Sequence, residues 1–355
     1  MPIAPPDPPS PIIIDIIGVF AWRKTNIDEA IDSDCPLSSA SFPGNAPAVS
    51  TNVTTGRLNF SAKLISLCVE AGNYQLLNHL QDNKFSSKDN DTPLSEIDIK
   101  SNEIISSGIK KIDKKYPIIS EEHYENINPG DSFWIIDPLD GTRNYLNHGN
   151  EFCINIAFIK NEYPSFGLIY SPISKISYYA IEGGGSYILR NSQSLSSALK
   201  ITCNTFDSND PGSDIKATIL TSSSMNAKKL ELITKRFVSP KIRKMSSALK
   251  FGLIAIGEGD FYPRLGPTHE WDTAAGQCII EEAGGSVVDK NMSRLKYCKN
   301  KTYLNNEFFA IGDKSYDWSD LIKSLSCWFL ALSRMLLYWF YLIFYICPVY
   351  LYSML

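Results

Sequence analysis

The chain has 355 residues, of which 44% are apolar and 20% charged. That balance supplies a sizeable buried core and excludes a wholly disordered protein. A net charge of −4 excludes a surface built around a nucleic-acid backbone, so no nucleic-acid polymer is expected as a partner. Eight cysteines stand singly, with no CxxC pair and no Cys/His cluster. This argues against a zinc site or a disulfide scaffold and for free, mostly buried thiols in a reducing compartment.

Residues 1–56 read as an appendage. Residues 1–11, MPIAPPDPPSP, favour polyproline-like extension. The apolar run from Pro11 to Trp22 carries Asp15 and lacks a basic n-region, which makes it a poor signal peptide. Residues 32–56, rich in Ser, Pro, Gly and Asn, read as a flexible linker. From Arg57 the pattern changes: Leu64, Leu67, Cys68, Ala71, Leu76, Leu77 and Leu80 fall near helical spacing and predict a long helix. A second helix is predicted to start near Glu96. The strand-like runs YPIIS, SFWIID, FCINIAFI, SFGLIYSP and ISYYAIE follow, separated by turn-prone residues. Residues 218–236 read as strand, loop and amphipathic helix. LKFGLIAIGEGDFYPR and HEWDTAAGQCIIEEAGG complete a body ending near 316. Such alternation predicts a layered α/β architecture.

Residues 325–355 form a hydrophobic tail. From Met335 to Leu355 no charged residue occurs in 21 positions, and about 20 residues in a helix span a bilayer core. Its Trp and Tyr residues suit a membrane interface and Arg334 can snorkel, although Pro348 interrupts a continuous helix. The tail is therefore a candidate transmembrane helix, the alternative being a terminal segment packed on the core. With no N-terminal signal, a C-terminal span leaves the folded body facing the cytosol; without the span the body is cytoplasmic.

The chemistry concentrates in WIIDPLDGT, residues 134–142. An apolar strand delivers Asp137 and Asp140 across a turn, with the carbonyl of Leu139 between them, an oxygen-rich set suited to Mg²⁺. Gly141 permits close backbone approach, and amides at Gly141 and Thr142 opening a helix would face an anion such as phosphate. Taken alone, DPLDGT also fits an ordinary Asp-rich turn. Upstream, Ser120-Glu121-Glu122 ends an apolar run, as either a bridging ligand pair or a solvated loop. Trp271-Asp272 precedes the small residues of TAAG, and Asp98 sits in PLSEID; each also fits a helix-terminal acid.

Together, WxxDPxDGTxN, the upstream SEE, TPLSEID and WDTAAG resemble the Mg²⁺-dependent, lithium-sensitive phosphatases of the inositol monophosphatase superfamily, over roughly Leu58 to Asp313. NEFCINIAFIKNEYPSFGLIYSPI and SSALKFGLIAIGEGDFYPRLGPT are most similar to its 3′(2′),5′-bisphosphate nucleotidase branch, which removes the 3′-phosphate of adenosine 3′,5′-bisphosphate, a by-product of sulfate transfer and reduction. The resemblance implies an α-β-α-β-α layered sandwich with an N-terminal α+β half (57–190) carrying the metal site and a C-terminal α/β half (191–316) carrying the substrate site. It implies metal ligands at Glu121, Asp137, Asp140, Asp272 and the Leu139 carbonyl. Asp98 and Thr142 would orient a water, and Glu121 would take part in catalysis. Gly141, Thr142, Ser247, Lys250, Arg264 and Asp272 would bind substrate. Asp98 and those four acidic ligands converging without cations would repel one another, and two or three Mg²⁺ ions would neutralise them. One departure bears on substrate: Ser-Arg-Ser-His of the branch is Ser222-Ser223-Ser224-Met225 here, which loses a histidine. An inositol phosphate is thus the alternative substrate. A membrane-tethered nucleotide-binding scaffold without catalysis is the alternative of another class.

Overall fold

The computed structural model describes residues 51–81, 85–87, 93–125, 127–191, 194–206, 216–222, 225–237, 239–298 and 300–325. The N-terminal 50 residues and the tail from 326 onward lie outside the described residues, and of the candidate membrane span 325–355 only Leu325 is described, buried in the core with Trp318. Among the described residues no helix is long and apolar enough to cross a membrane. Residues from Thr54 onward form one compact unit, and the first helix begins three residues before it.

The elements run in this order: α1 (Thr51–Asn78), β1 (Phe85–Ser87), β2 (Pro93–Ser95), α2 (Glu96–Ile112), β3 (Ile118–Ser120), β4 (Ser132–Asp140), α3 (Thr142–Leu146), β5 (Cys153–Lys160), β6 (Tyr163–Ser171), β7 (Ile176–Ile181), β8 (Gly185–Arg190) and β9 (Leu199–Ile201). They continue with β10 (Thr218–Thr221), α4 (Ala227–Thr234), β11 (Lys241–Lys244), α5 (Leu249–Ala255), β12 (Phe261–Arg264), β13 (Thr268–His269), α6 (Ala274–Glu282), β14 (Ser286–Asp289), β15 (Leu304–Asn305) and β16 (Phe308–Ile311). Residues 319–325 are helical. The first helix starts at Thr51, inside the stretch that composition reads as linker. That stretch is poor in helix formers, and its Ser and Thr content masked the helix start.

A seven-stranded sheet carries β3 to β9 in chain order, and a five-stranded sheet has the order β11-β10-β12-β16-β14. Away from the exposed edge strands β11 and β9, both are buried on two faces, and alternate side chains along the inner strands enter different cores. In β4, Phe133 and Ile135 enter the central cluster with α5 and α6. Trp134 faces the opposite way, its ring 5.9 Å from Phe60 of α1. In β16, Phe308 and Ala310 join the same central cluster. Phe309 and Ile311 pack with Ile233 of α4 and with Trp318, Leu321 and Ile322. The layers are therefore α1 and α2, the large sheet, α5 and α6, the small sheet, and finally α4 with residues 319–325. This is a mixed α/β sandwich in which α5 and α6 fill the middle layer. Gly276 makes that layer thin: a β-carbon there would stand 2.2 Å from Cγ of Phe251, so only glycine lets α6 approach α5 this closely.

Candidate active site

β4 is buried along nearly its whole length, which fixes its register on β5 and delivers Asp137 and Asp140 at its end. The pairing Asp137↔Asn155 is regular, then shifts before Asp140↔Cys153. Such an irregularity re-aims side chains at a sheet end. Asp137 Oδ1 accepts the amide of Leu139 at 3.0 Å, which closes the turn. Gly141 follows with φ 94° and stands as N-cap of α3, with no side chain capping the first amides. β3 lies parallel to β4, and beyond its end the amide of Glu121 donates to Ile136 O at 3.2 Å, bringing Glu121 to the same sheet edge.

Three distant segments meet here. Carboxylate oxygens of Glu121, Asp137 and Asp272 all lie within 4.8 Å of one another, a grouping able to hold a metal ion. Asp272 ends a 3₁₀ turn, Glu270–Asp272, just before α6 and not within its first turn. Its second oxygen accepts the amide of His269 at 2.8 Å, which aims the side chain. Burial first, then repulsion from Glu121, Asp140 and Asp272, pushes the Asp137 carboxyl well above the usual carboxylate range. Burial, then Asp140 and Glu121, does the same to Asp272. The fit of a divalent cation follows from this donor set: hard oxygens, converging, whose ionised form the protein alone disfavours.

Asp140 stands at the side of this group. Its Oδ2 accepts from Asn155 Nδ2 at 3.2 Å and from the amide of Ala248 at 2.5 Å, with the Cys153 thiol at 3.5 Å. Asp98, on the first turn of α2, is 1% exposed. Thr142 Oγ1 lies 3.1 Å from Asp98 Oδ1 and 3.0 Å from Leu139 O, so its single proton is shared between two acceptors.

Ser247 sits in the turn before α5 with φ 57°. Lys250 points inward: buried, its Nζ donates to Ser247 O at 2.5 Å and Met245 O at 3.2 Å and lies 4.8 Å from the Tyr262 ring centre. Burial, opposed by the nearby Asp140, lowers its pKa to about 8. Arg264, half-buried on β12, gives Nη2 to Pro267 O at 3.0 Å, while its Nε has no hydrogen-bond partner among the described residues. Met225, at the missing-histidine position, packs against the apolar cluster of α4 and Trp318.

Sequence reading missed Cys153, Asn155, Asn144 and Glu151. Asn144 Oδ1 accepts the amide of Glu151 at 2.9 Å, and Glu151 Oε2 accepts the amide of Ser246 at 2.8 Å. Asn144 lies in a motif already noticed. The others became visible only through the β4–β5 register and a contact 95 residues away in sequence.

The inositol monophosphatase family model matches residues 59–319, which holds the whole acidic group. The chain belongs to the inositol monophosphatase family. Among its relatives are the 3′(2′),5′-bisphosphate nucleotidases CysQ of Buchnera aphidicola, 34% identical over 70% of this chain and 92% of that protein, and of Haemophilus influenzae, 30% identical over 66% and 86%. The crystal structure of CysQ from Bacteroides thetaiotaomicron, a bacterial member of the family, superposes with a TM-score of 0.60 at 27% identity, over 72% of this chain and 97% of that one. The Thermotoga maritima inositol monophosphatase TM1415 superposes with a TM-score of 0.60 at 25% identity, over 76% and 98%.

Proposed function

We propose that this inositol monophosphatase family member is a 3′(2′),5′-bisphosphate nucleotidase that hydrolyses adenosine 3′,5′-bisphosphate to AMP and phosphate, depends on Mg²⁺ and is inhibited by Li⁺. The observation that carries the reading is the meeting of Glu121, Asp137 and Asp272 within 4.8 Å. The nucleotidase names of its relatives support the substrate. Glu121, Asp137, Asp140, Asp272 and the Leu139 carbonyl would hold two or three Mg²⁺ ions, which supply Lewis-acid polarisation of the phosphate and acidify water. When Thr142 donates to Asp98, its hydroxyl oxygen is left as an acceptor that orients a water by one O–H group. Asp98, buried beneath it, holds that orientation. Gly141 keeps the backbone low where the phosphate would lie. Ser247 and Arg264 would face the nucleotide side, where the guanidinium suits a second phosphate; Lys250, buried with its ammonium on the Met245 and Ser247 carbonyls, would act through that turn.

One observation favours a second reading, an inositol phosphate as substrate: Met225 is given over to apolar packing and supplies no polar contact in place of histidine. A phosphate-release assay comparing adenosine 3′,5′-bisphosphate with inositol 1-phosphate, with and without Mg²⁺ and Li⁺, tests both. We expect the nucleotide to be preferred, with release only in Mg²⁺. Preference for the inositol phosphate overturns the first reading. Nucleotide binding with no release from either substrate would mark a scaffold. The halves 57–190 and 191–316 belong to the same proposal, the first carrying most metal ligands and the second most substrate contacts. So does a membrane anchor in residues 325–355, supported by the 21 uncharged positions from Met335, with the body facing the cytosol. Recovery of the full chain in the supernatant after alkaline extraction would refute the anchor.

A further inference from the structure

The turn Met245–Ala248 borders the acidic group, because Ala248 donates its amide to Asp140. On the nucleotidase reading, the part of the substrate beyond the phosphate would lie against this turn, whose Ser246 and Ser247 are half-exposed. The turn is strained: Ser247 holds φ 57°, the left-handed region that L-residues avoid at about 1–2 kcal/mol. A conformation of that kind persists only where its surroundings impose it.

Those surroundings can be named. The Met245 amide donates to Thr221 O at 2.9 Å, a bond that continues the β10–β11 pairing. Lys250 binds the carbonyls of Met245 and Ser247 from below. The two amides flanking Ser247 are held by carboxylates from far away in sequence: Ala248 by Asp140, and Ser246 by Glu151 at 2.8 Å. Asp140 stands at the side of the acidic group already described; Glu151 does not. Glu151 lies just before β5, and its own amide is fixed by Asn144 Oδ1 at 2.9 Å. Gly149 packs so close to Asn144 that a β-carbon there would stand 2.3 Å from Oδ1. A continuous chain of contacts thus runs from the DGTRN segment through Asn144 and Glu151 to Ser246.

We infer that Glu151 is a positioning residue which, with Asp140, fixes the Ser246–Ala248 turn and thereby sets how tightly the nucleotide portion of the substrate is held. The inference rests on the nucleotidase reading above for its substrate, but not for its structural content. A carboxylate-to-amide bond is charge-assisted and stronger than a neutral one. Without it the Ser246 amide loses its acceptor and Ser247 loses one of its two flanking restraints. The acidic group, anchored through β3, β4 and the 270–272 turn, is untouched.

The test uses the full-length protein with Glu151→Ala and Glu151→Gln. Steady-state kinetics are measured with adenosine 3′,5′-bisphosphate and with p-nitrophenyl phosphate, a small monoester that does not reach the turn. For Glu151→Ala we expect KM for the bisphosphate to rise about tenfold, from the loss of one charge-assisted bond, with kcat within about twofold. The small monoester should be hydrolysed as by the wild type. Glu151→Gln, whose amide oxygen still accepts from Ser246, should recover most of the loss. Hydrogen exchange at the Ser246 amide, measured without substrate, should accelerate about tenfold or more in Glu151→Ala. An unchanged bisphosphate KM, or equal losses on both substrates, overturns the inference. Unchanged exchange at Ser246 overturns it whatever the wild type hydrolyses. Failure of the wild type to act on the bisphosphate, with exchange altered as expected, would instead overturn the nucleotidase reading and the substrate part of the inference with it.

Discussion

Thr142 Oγ1 lies 3.1 Å from Asp98 Oδ1, joining the start of α3 to the first turn of α2 across 44 residues of sequence. Neither side chain belongs to the Glu121–Asp137–Asp272 group, so the pair can be altered without removing a carboxylate from it. Thr142→Ala and Asp98→Asn should each lower kcat by about 10²–10⁴-fold, the usual scale for losing a positioned proton partner. Thr142→Ser, which keeps the hydroxyl, should retain most activity. Phosphate-release kinetics check this, with circular dichroism to confirm folding. Turnover near wild type in Thr142→Ala would contradict the role.

The acidic group predicts how stability depends on pH without divalent ions. Burial and the neighbouring acids hold the folded Asp137 carboxyl well above the usual carboxylate range. The folded state therefore keeps a proton that the unfolded chain releases, and stability falls as pH rises from about 4 through the raised value. Asp137→Asn removes that term, so its thermal midpoint in chelator should exceed the wild-type midpoint by a widening margin as pH rises, on the order of a few degrees near neutrality. Mg²⁺ should narrow the margin by stabilising only the wild type. Differential scanning calorimetry at several pH values reads this directly. A margin that shrinks with rising pH would show that the group is not self-repelling.

Lys250 gives a second pH prediction of opposite sign. Its folded pKa is lowered to about 8 from 10.5, chiefly by burial. Below pH 8 the folded state carries the full cost of a desolvated ammonium; the cost is relieved as pH rises from about 8 towards the unfolded value. The same deprotonation weakens the charge-assisted bonds by which Lys250 holds the Met245 and Ser247 carbonyls, and so loosens the turn beside the nucleotide. KM for adenosine 3′,5′-bisphosphate should therefore rise above pH 8 in the wild type. Lys250→Met should show a KM raised about tenfold or more at pH 7, from the lost charge-assisted bonds to the turn, and no inflection near pH 8. A persisting inflection would assign the ionisation to another group.

Glu121, Asp137 and Asp140 were legible because they follow apolar runs, and Asp272 because it stands between a tryptophan and the small residues of TAAG. PIIS and SFWIID end in strand termini, and the stretch before TAAG ends in a 3₁₀ turn; oxygen donors at such ends are a local signal. The layering was legible for a similar reason, through the alternation of helix-length and strand-length apolar runs. What the sequence hid is non-local. Asn155 and Cys153 reach Asp140 only because β5 pairs with β4 in one register. Glu151 reaches Ser246 only because the middle layer brings α5 beneath the large sheet. Lys250 looked like a surface charge for phosphate. Its position on α5, a helix buried between two sheets, turns its ammonium towards backbone carbonyls. The start of α1 at Thr51 was hidden by weak propensity, because TNVTTG carries residues that favour caps and turns.

Gly141 and Gly130 separate two consequences of a glycine at positive φ. Both lie in the left-handed region, at φ 94° and 62°. A β-carbon at Gly130 would meet nothing within 4 Å, so Gly130→Ala carries only the conformational cost, about 1 kcal/mol. At Gly141 the same carbon would stand 2.9 Å from Glu151 O and 3.4 Å from Phe152 Cα, both backbone atoms that cannot swing aside. Relief requires either Asp140 and Thr142 on one side, or Glu151 and Phe152 on the other, to shift. Gly141→Ala should therefore lose about 1–2 kcal/mol more than Gly130→Ala in urea denaturation, the scale of an overpacked core site. It should also lose most of its turnover, since the displaced residues flank the site, whereas Gly130→Ala should stay close to wild-type turnover. Equal destabilisation by the two substitutions would mean that the backbone at Gly141 has room to spare, and that its place between Asp140 and Thr142 is set by the turn alone.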